Sequence, residues 1–494
     1  MKYMVKWVCC LCTLYSSLSA QSIKPVIPGD FADPSIIRKG DRYFAVGTSS
    51  EWAPHFPIFT SADLKNWKQT GYLFSKAPEW ASTSFWAPEY FYHNDTYFIY
   101  YTARRKTDNV SCIGVATSRH PDKDFTDHGI IIEHGKEAID AFVFNDNGQL
   151  YITWKAYGLD KRPIELLGSK LSANGLRLEG APFSLMKDST GMGIEGQSIL
   201  KKDDYYYLFY SAGNCCGREC NYNVRIARSS SIQGPYVNYA GNPALGENKT
   251  WKCSGHGTFV TAPDGACYYL YHAYNKSSTV FTGRQGMLAR LTWPGTNTWP
   301  VFRELSGDAY SANIKDDFKE KVPANHWQWD FRNSTPVVRQ SKGKLYLSGS
   351  IHPGNITGMV LTVRPASQHY TMEATVVNKN DALKGLAIYG DANAAIGVGV
   401  SGGNVEYWIV KDNKRTLLAS LPISKKGAVE LRMEVSDQVV ASFRQGAGWQ
   451  VLTPATPVSI DFLPPWDRSP RMGLHFNGAA GEEAVFSRFQ VVYP

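Results

Sequence analysis

The sequence predicts an all-β protein in two units, a five-bladed β-propeller followed by a β-sandwich of the jelly-roll kind. Three observations carry that prediction. A unit of roughly 55 residues recurs five times between Asp30 and Phe302. Each unit holds short runs of Val, Ile, Tyr, Phe and Thr bounded by turn residues, with no sustained helical period. After Phe302 the repeat stops and a different rhythm of short alternating strands begins.

Each repeat opens on a short strand: ADPSII from Ala32, WAPEYF from Trp86, IDAFVF from Ile139, IEGQSI from Ile194 and GHGTFV from Gly255. A turn rich in Gly, Asp or Asn follows, then an aromatic strand, read as RYFAVGTS, TYFIYYTA, QLYITWKA, YYYLFYSA and CYYLYHAY. Third strands are visible in SCIGVATS, NVRIARSS and GMLARLTW, and weaker fourth strands near Trp67 and Tyr236. Five repeats of about four strands describe a five-bladed propeller. The later rhythm, with KLYLSG, YTMEATVVN, AAIGVGVS, AVELRMEV and RMGLHFN among its strands, describes a sandwich. The reading divides the chain into a propeller over residues 21–305 and a sandwich over 314–494.

The N-terminus, MKYMVKWVCCLCTLYSSLSA, has Lys2 and Lys6 before a short apolar stretch and a small-residue end at Ala20. Residues 1–20 therefore read as a signal peptide, too short in its apolar run to span a membrane, which makes the product secreted or periplasmic. Beyond it lie Cys112, Cys215, Cys216, Cys220, Cys253 and Cys267. An even set in an exported chain predicts disulfides, with the connectivity left open. A zinc site at the Cys215, Cys216 and Cys220 cluster lacks the matching second pair. The net charge of +8 comes from scattered Lys and Arg with no dense basic run, which argues against a nucleic-acid partner. Aromatic content is 13%, and flat apolar rings are what sugar rings pack against.

In a propeller the first strand of each blade lines the central axis, so one register of that strand faces a single funnel. Reading the second residue of each opening strand gives Asp33, Ala87, Asp140, Glu195 and His256. Three carboxyl groups and a histidine at such a register are costly to bury unless they are paired, hydrated or used. Glycoside hydrolysis uses two carboxyls, one protonated to cap the leaving oxygen and one ionised to activate the nucleophile. A third acid beside the proton donor raises its pKa by like-charge repulsion. Groups on different blades stand across the funnel, which favours the wider spacing that admits a water and inverts the anomeric centre.

The first unit resembles the family 43 glycoside hydrolases, five-bladed propeller arabinanases, arabinofuranosidases and xylosidases. The residues that carry the resemblance are Ala32-Asp33-Pro34-Ser35, SADLKNW from Ser61 to Trp67, Trp86-Ala87-Pro88-Glu89, and Ile139-Asp140 with Phe144. GIEGQSI around Glu195, SIQGPY, GHGTFV and LTWPGTNTWPVF complete it. The resemblance implies that Asp33 is the general base, Asp140 the modulator of the proton donor's pKa, and Glu195 the general acid. It further implies substrate contacts from Trp86, Arg284, Trp52 and His55, and a calcium or other structural ion at the propeller centre near His256, with no cofactor for catalysis. Phe142 departs from the Pro-Ser pair that many members carry after the aspartate, and is expected at the pocket floor. The adjacent Cys215 and Cys216 resemble arabinan-active members; a bridge between them and a Cys220–Cys253 pairing both stay open. The tail resembles the concanavalin-like sandwich often joined to these propellers, expected to shape a rim of the funnel. The expected substrate is an α-L-arabinofuranosyl linkage in plant cell-wall poly- or oligosaccharide, acted on by a monomer, with β-D-xylosidase and endo-arabinanase as alternatives. Two further readings are an invertase-type retaining hydrolase and a non-catalytic carbohydrate-binding propeller. Glu219-Cys220 resembles the invertase acid motif but lies outside the opening strands.

Overall fold

The computed structural model describes residues 22–308, 312–425, 427–454 and 456–494, so the expected signal peptide lies outside the described residues. Five four-stranded antiparallel sheets form the first unit, each joined strand to strand in chain order. Blade one is Ser35–Lys39, Arg42–Val46, His55–Ser61 and Lys68–Phe74. Blades two to five open with Ala81–His93, Ala138–Asp146, Ile194–Lys202 and Trp251–Thr261. These opening strands pack against one another in sequence, and that of blade five returns to that of blade one, closing the ring. The final strand of blade five, Val301–Leu305, pairs within its own sheet, and backbone bonds from Ile27 and Phe31 to Gly286 and Arg284 help join blade one to blade five. Hydrophobic clusters fill the wedges between blades: Phe98, Trp154 and Ile152 between blades two and three, and Tyr207, Phe209, Tyr269 and Met287 between four and five.

From Ile314 the chain forms two stacked sheets, one of eight strands and one of six. Alternation decides which side chains meet between them: Tyr370–Val377 alternates buried and partly buried residues along its whole length. Met372, Ala374, Val376, Leu386, Ile396, Val398, Leu431 and Phe489 meet in the core between the sheets. Among the described residues the only helical turn is Thr279–Phe281, and no helix is long and apolar enough to cross a membrane.

The two units share a core. Trp52–Ala53, in the loop of blade one, pairs as a short strand with Trp329–Asp330 of the second unit. The Trp52 indole, 1% exposed, enters a cluster made by Val360, Leu383, Tyr389, Ala395 and Trp408 of the sandwich. It meets Tyr389 edge-on at 5.9 Å and lies 4.3 Å from the Arg471 guanidinium. His55 stacks on Phe85 at 4.0 Å and meets Phe331 at 4.8 Å, and burial in that apolar setting lowers its pKa to about 3. The sequence assigned Trp52 and His55 to substrate contact; both are buried instead where the units join, because the loop that carries them turns away from the funnel into the sandwich.

Replacing Trp52 with Ala is expected to cost about 3–5 kcal/mol of stability, as for other buried Trp truncations. Chemical denaturation reads that loss directly, and Trp52→Phe is expected to recover part of it. A rise in KM with unchanged stability would instead return Trp52 to the substrate.

Candidate active site

Where each blade begins, the chain makes the same irregular turn. Asp33, Ala87, Asp140, Gly196 and His256 all have positive φ, between 43° and 61°. Each stands two residues before the start of regular pairing with the second strand, at Ser35, Glu89, Phe142, Ser198 and Thr258. The sequence placed Glu195 at this register; the structure puts Gly196 there and Glu195 one residue earlier, level with Trp86. A bulge between Glu195 and Ser198 matches those after Trp86 and Ile139. Four of these positive φ values belong to residues with a side chain, a costly geometry that recurs only where surrounding contacts hold it.

Those contacts are hydrogen bonds from one blade to the next. The backbone N–H of Ala87 donates to Thr48 Oγ1 at 2.8 Å, that of Asp140 to Thr102 Oγ1 at 3.2 Å, and that of His256 to Ser211 Oγ at 2.8 Å. The N–H of Asp33 donates to His272 Nδ1 at 3.0 Å, which closes the ring between blades five and one. His272 is fully buried, and burial holds it neutral by lowering its pKa well below the usual value, which leaves Nδ1 free to accept. Blade three breaks the pattern. Lys155 occupies the place held elsewhere by Thr, Ser or His, and its side chain rises past Gly196 to Glu195. The Gly196 N–H therefore donates to Asp140 Oδ2 at 3.0 Å.

Asp33, Asp140 and Glu195 are brought to the same funnel with opposed electrostatics. Asp33 Oδ1 receives Arg284 Nη1 at 3.0 Å and Oδ2 receives the Thr48 hydroxyl at 2.7 Å. Burial alone would raise its pKa, but Arg284 above all, with the Thr48 hydroxyl, holds it down at about 2. Asp140 is buried without such a partner; burial and the neighbouring Glu195 charge push it up to about 7, against the pull of His256 and Lys155. Glu195 Oε2 pairs with Lys155 Nζ at 2.8 Å, and Oε1 accepts the Tyr222 hydroxyl at 3.0 Å. Burial opposes ionisation of Glu195 too, yet Lys155 and Tyr222 lower its pKa. Lys155 also lies 3.4 Å from Glu137, so one buried ammonium serves two carboxylates. Of the three side chains Glu195 is the most open, 20% exposed against 10% for Asp33 and 7% for Asp140.

The remaining candidates divide. Arg284, read from the sequence as a substrate contact, instead clamps Asp33, and its Nη2 donates to the backbone oxygen of Asp467 from the sandwich at 3.2 Å. Trp86 is partly exposed at the mouth, with the Arg104 guanidinium 5.6 Å from its ring. Phe142 is buried between blades three and four with Tyr151, Leu166 and Ile199, away from the pocket floor where the sequence placed it. His256 Nδ1 lies 3.6 Å from Asp33 and 3.8 Å from Asp140. Among the described residues no three His, Cys, Asp or Glu side chains converge as a metal site. A hard cation asks for six to eight oxygen ligands, and His256 supplies one nitrogen already facing two carboxylates, so these residues do not fit a protein-built calcium site. Cys215–Cys216 and Cys220–Cys253 are both bridged, while Cys112 and Cys267 are free thiols. A cavity of about 550 Å³ beside Lys24, Trp251 and Tyr493 holds none of the three carboxylates.

Lys155, Tyr222, Asp467, Thr48, His272 and Glu137 were not anticipated at this site. Lys155 was legible, because aligning the second strands puts a lone lysine in a column with Thr48, Thr102 and Ser211.

The sequence pattern of the family described as glycosyl hydrolases family 43 matches residues 23–300. The chain belongs to that family. It is therefore a glycoside hydrolase. An extracellular exo-α-(1→5)-L-arabinofuranosidase, ArbA of Cellvibrio japonicus, is 30% identical over 338 residues, covering 62% of this chain and 94% of that protein. An extracellular endo-α-(1→5)-L-arabinanase 1 of Bacillus subtilis is 29% identical over 293 residues, 55% of this chain and 87% of its own. A xylan β-1,4-xylosidase of Bacillus halodurans superposes with a TM-score of 0.81 at 20% identity, over 95% of this chain and 100% of that one. That last likeness extends through the sandwich and establishes the two-unit fold.

Lys155 lowers the Glu195 pKa, so removing its charge should raise it. In Lys155→Met the alkaline limb of the kcat/KM profile is expected to move up in pH, because Glu195 then keeps a proton to higher pH. An unmoved limb would show that Lys155 does not set the protonation of Glu195.

Proposed function

We propose that this family 43 enzyme is an exported, inverting, exo-acting α-L-arabinofuranosidase that removes arabinofuranosyl residues from plant cell-wall poly- or oligosaccharides. The observation that carries the reading is the split between the carboxyls. Asp33 is held ionised down to about pH 2 by Arg284, while the Asp140–Glu195 pair retains a proton near neutral pH. Asp33 acts as general base, taking a proton from water as it attacks the anomeric carbon. Glu195, the most open of the three and served by the Tyr222 hydroxyl, donates to the departing glycosidic oxygen. Burial and the neighbouring Glu195 charge raise Asp140, so the pair holds a proton for Glu195 to deliver, and the two titrate together.

The name of the exo-acting Cellvibrio japonicus relative supports removal of terminal residues. The arabinan-active names of the two sequence relatives support the sugar, and their description as extracellular supports export, with residues 1–20 as the expected signal peptide. β-D-Xylosidase and endo-arabinanase activities are the alternatives that a substrate panel separates.

The panel comprises aryl α-L-arabinofuranoside, aryl β-D-xyloside, linear arabinan and xylan. Cleavage of the arabinofuranoside with release of single arabinose units from arabinan is expected. Cleavage of polymer alone, or of the xyloside alone, would overturn the substrate assignment. For the roles, Asp33→Asn is expected to lower kcat by about 10²–10⁴ on every substrate. Glu195→Gln is expected to do so only where the leaving group is poor, sparing dinitrophenyl glycosides. Equal losses on good and poor leaving groups would remove Glu195 as the acid.

A further inference from the structure

The sandwich projects one large apolar side chain at the propeller. Trp466 is 66% exposed, although the loop that carries it is fixed on both sides. Before it, Leu463 is buried in the sandwich core, and Pro464 and Pro465 stiffen the approach. After it, Asp467 accepts the Ser50 hydroxyl at 3.1 Å through Oδ2 and the Arg284 guanidinium at 3.2 Å through its backbone oxygen. The Ser469 N–H donates to Asp30 at 3.2 Å. The same Arg284 holds Asp33, so Trp466 is one residue from a direct link to the pocket. A residue fixed this firmly and left this open is not supporting its own loop.

Its neighbour is Gly217, next in the chain to the Cys215–Cys216 bridge. A Cβ on Gly217 would lie 3.4 Å from Trp466 Cδ1, which places the indole beside the bridged loop of blade four. That loop is braced by the Cys220–Cys253 bridge, by the Gly217 N–H donating to the Tyr274 hydroxyl at 3.3 Å, and by Arg218 pairing with Asp461 of the sandwich at 3.2 Å. It leads directly into Tyr222, whose hydroxyl donates to Glu195. The bridged loop packs through Cys215 against Tyr222, which links the indole's surroundings to Glu195.

We propose that Trp466, with the Cys215–Cys216 disulfide beside it, forms an apolar platform that stacks the sugar ring on the leaving-group side of the scissile bond. This rests on Glu195 being the proton donor, because the group that departs must lie next to it. Sugar rings present an apolar C–H face, and an indole held open by a rigid loop is suited to receive it. The sandwich then supplies part of the substrate site, and the preferred substrate carries a second sugar where simple glycosides carry none.

The test compares two substrates on wild type, Trp466→Ala and Trp466→Phe. One is an α-(1→5)-linked arabino-oligosaccharide; the other is α-L-arabinofuranosyl fluoride, whose leaving group has no ring. Trp466→Ala is expected to lower kcat/KM about tenfold on the oligosaccharide, mostly through KM, with the fluoride within about twofold. Trp466→Phe is expected to recover most of the loss. Unchanged oligosaccharide kinetics, or equal losses on both substrates, would overturn the platform while leaving the hydrolase assignment in place. A wild type that cleaves neither substrate would overturn the assignment itself, and the platform with it. Thermal unfolding of the variants, expected to match wild type, keeps the comparison about binding.

Discussion

One backbone N–H at the start of every blade has to find a partner inside a funnel. A buried peptide group left unpaired costs about as much as a lost hydrogen bond, so each blade must meet the need from its neighbour. Thr48, Thr102, Ser211 and His272 do so in four of five cases. The side chain of the first-strand residue is thereby turned toward the axis at a fixed height, and the fifth case is where the chemistry is built. Lys155 gives up the structural role, the Gly196 N–H turns to Asp140, and the lysine pairs with Glu195. A glycine is suited to this place because a Cβ on Gly196 would come within 2.8 Å of the His256 ring.

The electrostatics follow from that wiring. Asp33 has a guanidinium at 3.0 Å and is committed to its ionised form. Asp140 has backbone N–H and histidine neighbours but no close Arg or Lys partner, so burial dominates and its pKa rises. Glu195 sits between Lys155 and Tyr222, which makes it the more acidic of the coupled pair. Burying Lys155 with Glu137 and Glu195 is costly in itself, and the arrangement is retained where it sets a protonation state. Arg284 extends the same network into the second unit through Asp467. The sandwich is therefore joined to the active site by hydrogen bonds as well as by the Trp52 contact.

Much of the fold was legible because propeller repeats are periodic and strands alternate. The five opening segments marked the blades, and the last blade strand ends at Leu305, near the point where the rhythm of the sequence changes. Asp33 and Asp140 were placed at the correct height by the repeat alone. Glu195 was misplaced by one residue because the bulge that shifts it is a backbone feature, and IEGQSI aligns equally well either way. Trp52 and His55 failed for another reason. Their sandwich neighbours, Phe331 and Trp329 among them, lie more than 250 positions later, and no local pattern announces that a loop will enter a second domain. Phe142 shows the limit of reading the next residue along: two positions past Asp140, the chain has already turned into the core.

The central claim is that Asp33 directs a water molecule at the anomeric carbon from the face opposite Glu195. Proton NMR of the first-formed product, recorded before mutarotation, tests it most directly on whichever glycoside the enzyme cleaves. The account predicts that the initial sugar has the anomeric configuration opposite to that of the substrate. An initial product of the same configuration would mean that a carboxylate attacks the sugar itself, and would contradict the assignment of Asp33 as a base.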